Sequence, residues 1–243
     1  MSAPVIGEFM GTMVLILLGD GVVAGVLLRK SKAENAGWLA ITAGWGFAVL
    51  CGIFTAIACG SPDAHINPAV TLGLAIATGN YSKLPGYIPA QVAGAFAGAV
   101  LVWLAYWAHW PETSEPEFKR GIFCTIPAIR RLVPNLMTEI IGTAALICVG
   151  LTFGSKAVSK TGLPAGYSPF LWGLLVWGIG LSLGGPTGYA INPARDLGPR
   201  LAHAILPIPG KGGSDWSYAL VPILGPFVGA GIAAAFLKAF ALV

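Results

Sequence analysis

The chain has 243 residues, 56% of them hydrophobic and only 10% charged, with a formal net charge of +4. Soluble domains are about 25% charged, so composition argues against a water-soluble enzyme with one core, and equally against a disordered chain or a nucleic-acid binder, which need charge that is not here. The four cysteines (Cys51, Cys59, Cys124, Cys148) lie far apart with no CxxC pair and read as small packing residues, not as a disulfide or metal framework.

A helix that crosses a bilayer needs roughly 20 mostly apolar residues, and the charges punctuate this chain into such lengths. The first predicted span, 5–28, starts around Glu8 and contains Asp20. It is too long for a signal-peptide core and lacks a basic flank. The second, 38–59, lies in the charge-free interval between Glu34 and Asp63. Residues 66–78 are apolar but too short to cross, and they open with Asn67-Pro68-Ala69. Asparagine is a good N-cap and proline suits the first helical turn, so the tripeptide reads as the start of a re-entrant half-helix. The third span, 86–108, lies between Lys83 and Glu112. Residues 109–133 form the one extended polar connection, with Glu112, Glu115, Glu117, Lys119 and Arg120. Three further spans are predicted over 134–154, 168–185 and 217–238, with a second short apolar segment, 191–204, entered through Asn192-Pro193-Ala194.

The chain is written twice. Glu8-Phe9-Met10-Gly11-Thr12 is matched 131 residues later by Glu139-Ile140-Ile141-Gly142-Thr143, and the two Asn-Pro-Ala tripeptides are 125 residues apart. Each half holds three spans and one short helix, and an odd number of crossings forces the halves into opposite orientations. In such inverted repeats the functional site lies at the repeat interface near the bilayer midplane. Two short helices entering from opposite faces would meet at their N-termini, with both positive dipole ends at the centre. Asn67 and Asn192 would each present an amide NH₂ to the passage between them. A water or hydroxyl oxygen that accepts both donors cannot easily take a proton from its neighbour, and the positive potential repels cations. Such a pore passes neutral polar solutes and rejects ions.

The motifs His65-Ile66-Asn67-Pro68-Ala69-Val70 and Asn192-Pro193-Ala194-Arg195, with Gln91-Val92-Ala93-Gly94-Ala95 in the third span, resemble those of the aquaporin superfamily over essentially the whole chain. The resemblance implies an all-α membrane protein of six transmembrane helices and two half-helices. It also implies one channel domain over 1–243, with repeats of about 1–108 and 134–243 joined by an extracellular loop, and a homotetramer with one pore per subunit. Gly94, Gly98, Gly225 and Gly229 would permit the close helix contacts this needs. Asp196 after Arg195, Arg200 after the motif, Pro222-Ile223 in the last span, and Gly180 where water-selective members usually carry histidine resemble the glycerol-facilitator (aquaglyceroporin) branch.

That branch implies a selectivity filter of Trp45, Gly180, Tyr189 and Arg195. Glycerol has a hydroxyl face and a CH face, so the filter needs a donor wall and a greasy wall. Arg195 supplies fixed donors and a positive charge, Trp45 and Tyr189 hold the carbon backbone, and Gly180 leaves width. Carbonyls of the loop from Gly184 to Tyr189 accept the hydroxyl protons. Trp45 precedes Asn67 by 22 residues, about two more than the family pattern; the extra residues fit a turn at Gly60-Ser61-Pro62-Asp63, but if they lie within the helix Phe47 takes the filter position.

Glu8 and Glu139 are costly inside a membrane unless paired, and are expected to brace the two re-entrant loops through backbone N–H groups. His65 reads as a neutral pore-lining or loop-bracing imidazole, and Asp196 as a residue that holds Arg195 or its loop. Asp20, between Gly19 and Gly21, is left with two readings, pairing with a neighbouring helix or facing the vestibule. His109 and His203 share no metal-ligand spacing, and no cofactor or metal is expected. Six crossings place both termini on one side. Arg29, Lys30, Lys32, Lys119, Arg120, Arg130, Arg131 and Lys211 would then face outward if the termini are cytoplasmic, against the positive-inside rule; the resemblance, which ties Arg195 to an outward filter, decides for cytoplasmic termini in the plasma membrane. The resulting expectation is a passive channel for glycerol and other small uncharged solutes, with some water. Alternatives are a facilitator mainly for urea, hydrogen peroxide, dihydroxyacetone or protonated lactic acid, or an ion-coupled secondary transporter. The partners expected are the solutes and the lipid bilayer, with no nucleic acid.

Overall fold

The computed structural model describes residues 2–242, and every regular element among them is helical. The α-helices in chain order are α1 (Ala3–Leu27), α2 (Gly37–Ala58), α3 (Pro68–Thr78), α4 (Leu84–Ala105), α5 (Pro116–Phe123), α6 (Leu132–Thr152), α7 (Ser168–Leu183), α8 (Pro193–Ile205) and α9 (Leu220–Ala239), with one 3-10 turn at Trp107–His109. Five of them, α1, α2, α4, α6 and α9, are long and apolar enough to cross a membrane. The sixth expected span, α7, is shorter: its 16 residues, Ser168–Leu183, carry Pro169 in the first turn and end at the Gly184-Gly185-Pro186 break. At about 1.5 Å per residue it falls short of a full hydrocarbon thickness by itself.

The two short segments form half-helices at the expected places. α3 and α8 each begin at the proline of Asn-Pro-Ala, and each asparagine accepts hydrogen bonds from its own first turn: Ala69 N donates to Asn67 Oδ1 at 2.8 Å, and Ala194 N to Asn192 Oδ1 at 3.0 Å. Within the repeats, α1 packs on α2 and α4, and α6 on α9 and α7. Each half-helix packs chiefly on a helix of the other repeat, α3 on α9 and α8 on α4. The four expected contact glycines lie where no side chain fits: a Cβ on Gly94 would sit 2.2 Å from the Phe9 carbonyl oxygen, and on its counterpart Gly225 2.6 Å from Glu139 Cβ, with Gly98 and Gly229 equally tight.

The outer faces of these helices remain apolar. Leu39, Leu104, Ile141, Leu174, Leu224 and Phe236 are exposed, while Glu8, Thr12, Asp20, Gln91 and Thr143 are buried. This reverses the soluble pattern and suits a lipid exterior, where backbone groups must be satisfied inside the helices and polar side chains inside the bundle.

The connection 109–133, expected as a polar loop, instead contains α5 and packs firmly. Lys119, Ile122, Phe123, Cys124 and Thr125 are buried, and Lys119 Nζ donates to the Pro209 carbonyl.

Candidate functional site

The loops that lead into α3 and α8 are copies of one strained conformation. Ala64 and Ile66 have φ of 45° and 43°; their counterparts Tyr189 and Ile191 have φ of 36° and 42°. A β-branched residue in the left-handed region is costly and persists only where its surroundings impose it. Here two buried glutamates impose it. Glu8 accepts from the backbone N–H of His65 at 2.8 Å and of Ile66 at 2.7 Å, and from Ser61 Oγ and Gln91 Nε2, both at 2.7 Å. Glu139 accepts from Ala190 N at 3.0 Å, Ile191 N at 2.9 Å and Thr187 Oγ1 at 2.7 Å. His65 is buried, with Nδ1 3.1 Å from Thr71 Oγ1 and its ring edge-on to Tyr87.

The half-helices meet tip to tip. Asn67 Nδ2 donates to the Ile191 carbonyl and Asn192 Nδ2 to the Ile66 carbonyl, each at 2.9 Å. Each side-chain NH₂ thus spends one hydrogen on the opposite loop and keeps a second. Both asparagines line two cavities that meet at them. The wider one, of about 160 Å³, extends past Ile66, His65 and Asp63. The narrower one, of about 40 Å³, is bounded by Trp45, Tyr189 and Arg195. Leu15, Val49, Leu146 and Val176 border both and give the passage an apolar flank.

At the narrow end the Arg195 guanidinium carbon lies 4.1 Å from the centre of the Trp45 ring. Trp45 is 5% exposed and faces the cavity, whereas Phe47 is 60% exposed on the outside of α2. Of the two aromatics, Trp45 and not Phe47 borders the cavity. Gly180 does not line it either. The space beside Gly180 is filled by the Tyr189 ring, not left open, since a Cβ there would fall 2.6 Å from Tyr189 Cζ. Trp38, which sequence reading passed over, holds this corner: its Nε1 donates to the Gly180 carbonyl at 3.1 Å, and its ring packs edge-on to Tyr189 at 5.8 Å. The lining part of the loop is Gly188 to Ile191, not Gly184 to Tyr189, because the Gly184 and Pro186 carbonyls accept from Gly188 N and Ala128 N.

Asp196 does not hold Arg195. It accepts from Arg200 Nε at 2.7 Å and Nη2 at 2.8 Å, and from Thr125 N at 2.9 Å and Oγ1 at 2.6 Å. Arg200 also reaches the carbonyls of Ser214 and Asp215, so this buried pair ties the 109–133 connection and the 206–219 loop to α8. The i, i+4 spacing of the two charges on a helix was the available signal. Arg195 instead faces Asp20 of α1, Nη1 to Oδ1 at 3.4 Å.

Residues 1–237 match the family described as major intrinsic protein. The chain is 58% identical over 225 residues to a probable glycerol uptake facilitator protein of Thermotoga maritima, covering 92% of this chain and 93% of that protein. It is 54% identical over 239 residues to glycerol uptake facilitator protein 3 of Lactiplantibacillus plantarum, covering 96% and 95%. The X-ray structure of the aquaglyceroporin from Plasmodium falciparum superposes with a TM-score of 0.84 at 30% identity, covering 97% of this chain and 95% of that one.

Proposed function

The chain belongs to the major intrinsic protein family, and from that premise we propose that it is a passive membrane channel for glycerol and other small uncharged polar solutes. It is an integral membrane protein of transport, not an enzyme. The observation that carries the reading is the reciprocal brace between Asn67 and Asn192 where the two cavities meet. It fixes two amide donors opposite the apolar flank of Leu15, Val49, Leu146 and Val176, so solute hydroxyls and waters are oriented one at a time.

The second hydrogen of each amide, backed by the positive ends of α3 and α8, serves as donor to the passing oxygen and opposes hydronium and cations. At the narrow end Arg195 supplies donors to solute hydroxyls, Trp45 and Tyr189 form the greasy wall, and backbone from Gly188 onward supplies acceptors. Glu8, Glu139 and Asp196 support the loops and touch no solute, while His65 lines the wider cavity. Water passes by the same route. The whole of 1–243 acts as one channel domain of two inverted repeats. We place the channel in the plasma membrane as a homotetramer with one passage per subunit and both termini in the cytoplasm; the apolar outer faces support the bilayer setting.

Stopped-flow light scattering on proteoliposomes tests the proposal. Glycerol entry should exceed that of empty vesicles and stay indifferent to Na⁺ and pH gradients. Glycerol flux that requires either gradient would overturn a passive channel in favour of a coupled transporter.

A further inference from the structure

Asp20 is the buried carboxylate that the passage itself leaves unused. It lies in α1 between Gly19 and Gly21, fully buried, with Oδ1 facing Arg195 Nη1 at 3.4 Å and Oδ2 without a hydrogen-bond partner among the described residues. Among the described residues it is the one acidic side chain paired with Arg195. Asp196 is committed to Arg200 and Thr125, and Glu8 and Glu139 to the re-entrant loops. Trp45 covers the face of the same guanidinium and itself lies against α1 at Gly19, where a Cβ would come within 2.3 Å of its ring. So α1, α2 and α8 share one unit, with Arg195 between an aromatic face and a carboxylate edge.

At the narrow end and the centre the remaining fixed charges favour anions: the guanidinium and the positive ends of two half-helices; Asp63, on the wider cavity, is paired with Lys83. A counter-charge a few ångströms from the guanidinium cancels most of that field in a low-dielectric site. On the channel reading above, we propose that Asp20 is a positioning residue of the filter, the counter-charge that holds Arg195 against Trp45 and denies the passage to small anions. Asp20 touches no solute and acts through Arg195.

The test compares chloride entry with glycerol entry in proteoliposomes, the first by quenching of an entrapped halide-sensitive dye with potassium and valinomycin carrying the balancing charge. The ratio of the two fluxes cancels differences in the amount of working protein. In D20N it should rise about tenfold or more over wild type, whereas D20N/R195V should show the same ratio as R195V alone, because the arginine left without its counter-charge is the cause. An unchanged ratio in D20N, or an equal rise from R195V to D20N/R195V, overturns the proposal. If D20N conducts no glycerol, D20S is measured in the same way, and loss of glycerol flux in both also overturns it, since Asp20 would then hold the fold and not the charge balance. A wild-type protein without glycerol flux would strike at the channel reading instead.

Discussion

Tyr189 stands in the place that a side chain at Gly180 would need: a Cβ on Gly180 would lie 2.6 Å from Tyr189 Cζ and 2.8 Å from its hydroxyl oxygen. The width of the narrow end is therefore set by two residues jointly. G180H should crowd the ring and Thr42 together, cost about 1–3 kcal/mol of stability as overpacking does, and abolish glycerol entry. G180H/Y189A should relieve the crowding and raise the ratio of water to glycerol permeability. Thermal melting in detergent and stopped-flow fluxes check both, and wild-type glycerol entry in G180H would refute the shared-space account.

The two loop glutamates make a paired prediction. In E8Q or E139Q one acceptor oxygen becomes a donor that faces a donor, leaving a buried backbone N–H without a partner at a cost of about 1–3 kcal/mol. The left-handed Ile66 or Ile191 then loses what holds it. Both variants should melt earlier than wild type and conduct less glycerol. A variant with unchanged melting would mean that the strained loop is held by the half-helix alone.

Arg200 should tolerate no replacement, lysine included, because its guanidinium makes a fork with Asp196 and also binds two carbonyls of the 206–219 loop. R200A leaves Asp196 buried and unpaired, which costs about 3–5 kcal/mol in comparable sites. R200A should therefore melt far earlier and expose the 109–133 connection to proteolysis. A protease pattern identical to wild type would show that α5 is anchored by other contacts.

Just past the C-terminal end of α1, Arg29 pairs with both Glu34 and Glu115, and its hydrogen bond holds the Glu115 carboxyl down at about 2, against 4.5 ordinarily. The folded pKa is below the unfolded one, so this pair stabilises the protein above the ordinary glutamate value and its contribution is lost as pH falls from about 4.5 towards 2. The pair is exposed and screened by salt. Melting temperature measured from pH 6 to 3 at low salt should fall less steeply in E115Q than in wild type. Identical slopes would exclude the pair as a contributor.

How far the sequence carries can be read from individual residues. The half-helices were legible because Asn-Pro is a local start signal and their shortness is a matter of counting. Glu8 and Glu139 were legible as braces because a carboxylate deep in an apolar run must find donors. Trp45 was legible only up to a choice with Phe47, since spacing alone does not show whether two extra residues sit in a helix or a turn. The reach of Asp196 to Arg200, and not to Arg195, turned on which of two neighbouring cations its side chain could meet without leaving the helix face.

Hydropathy, repetition and turn chemistry are properties of neighbours along the chain, so residue order by itself determined that this protein lives in a bilayer, is doubled on itself and carries two opposed helix starts. What only the tertiary structure decided is which side chains face one another between helices: Asp20 with Arg195 across 175 positions, Tyr189 over Gly180, Trp38 behind both. Those pairings depend on the rotation and crossing of whole helices. These are set by many small contacts summed over the bundle, and no short stretch of sequence encodes them.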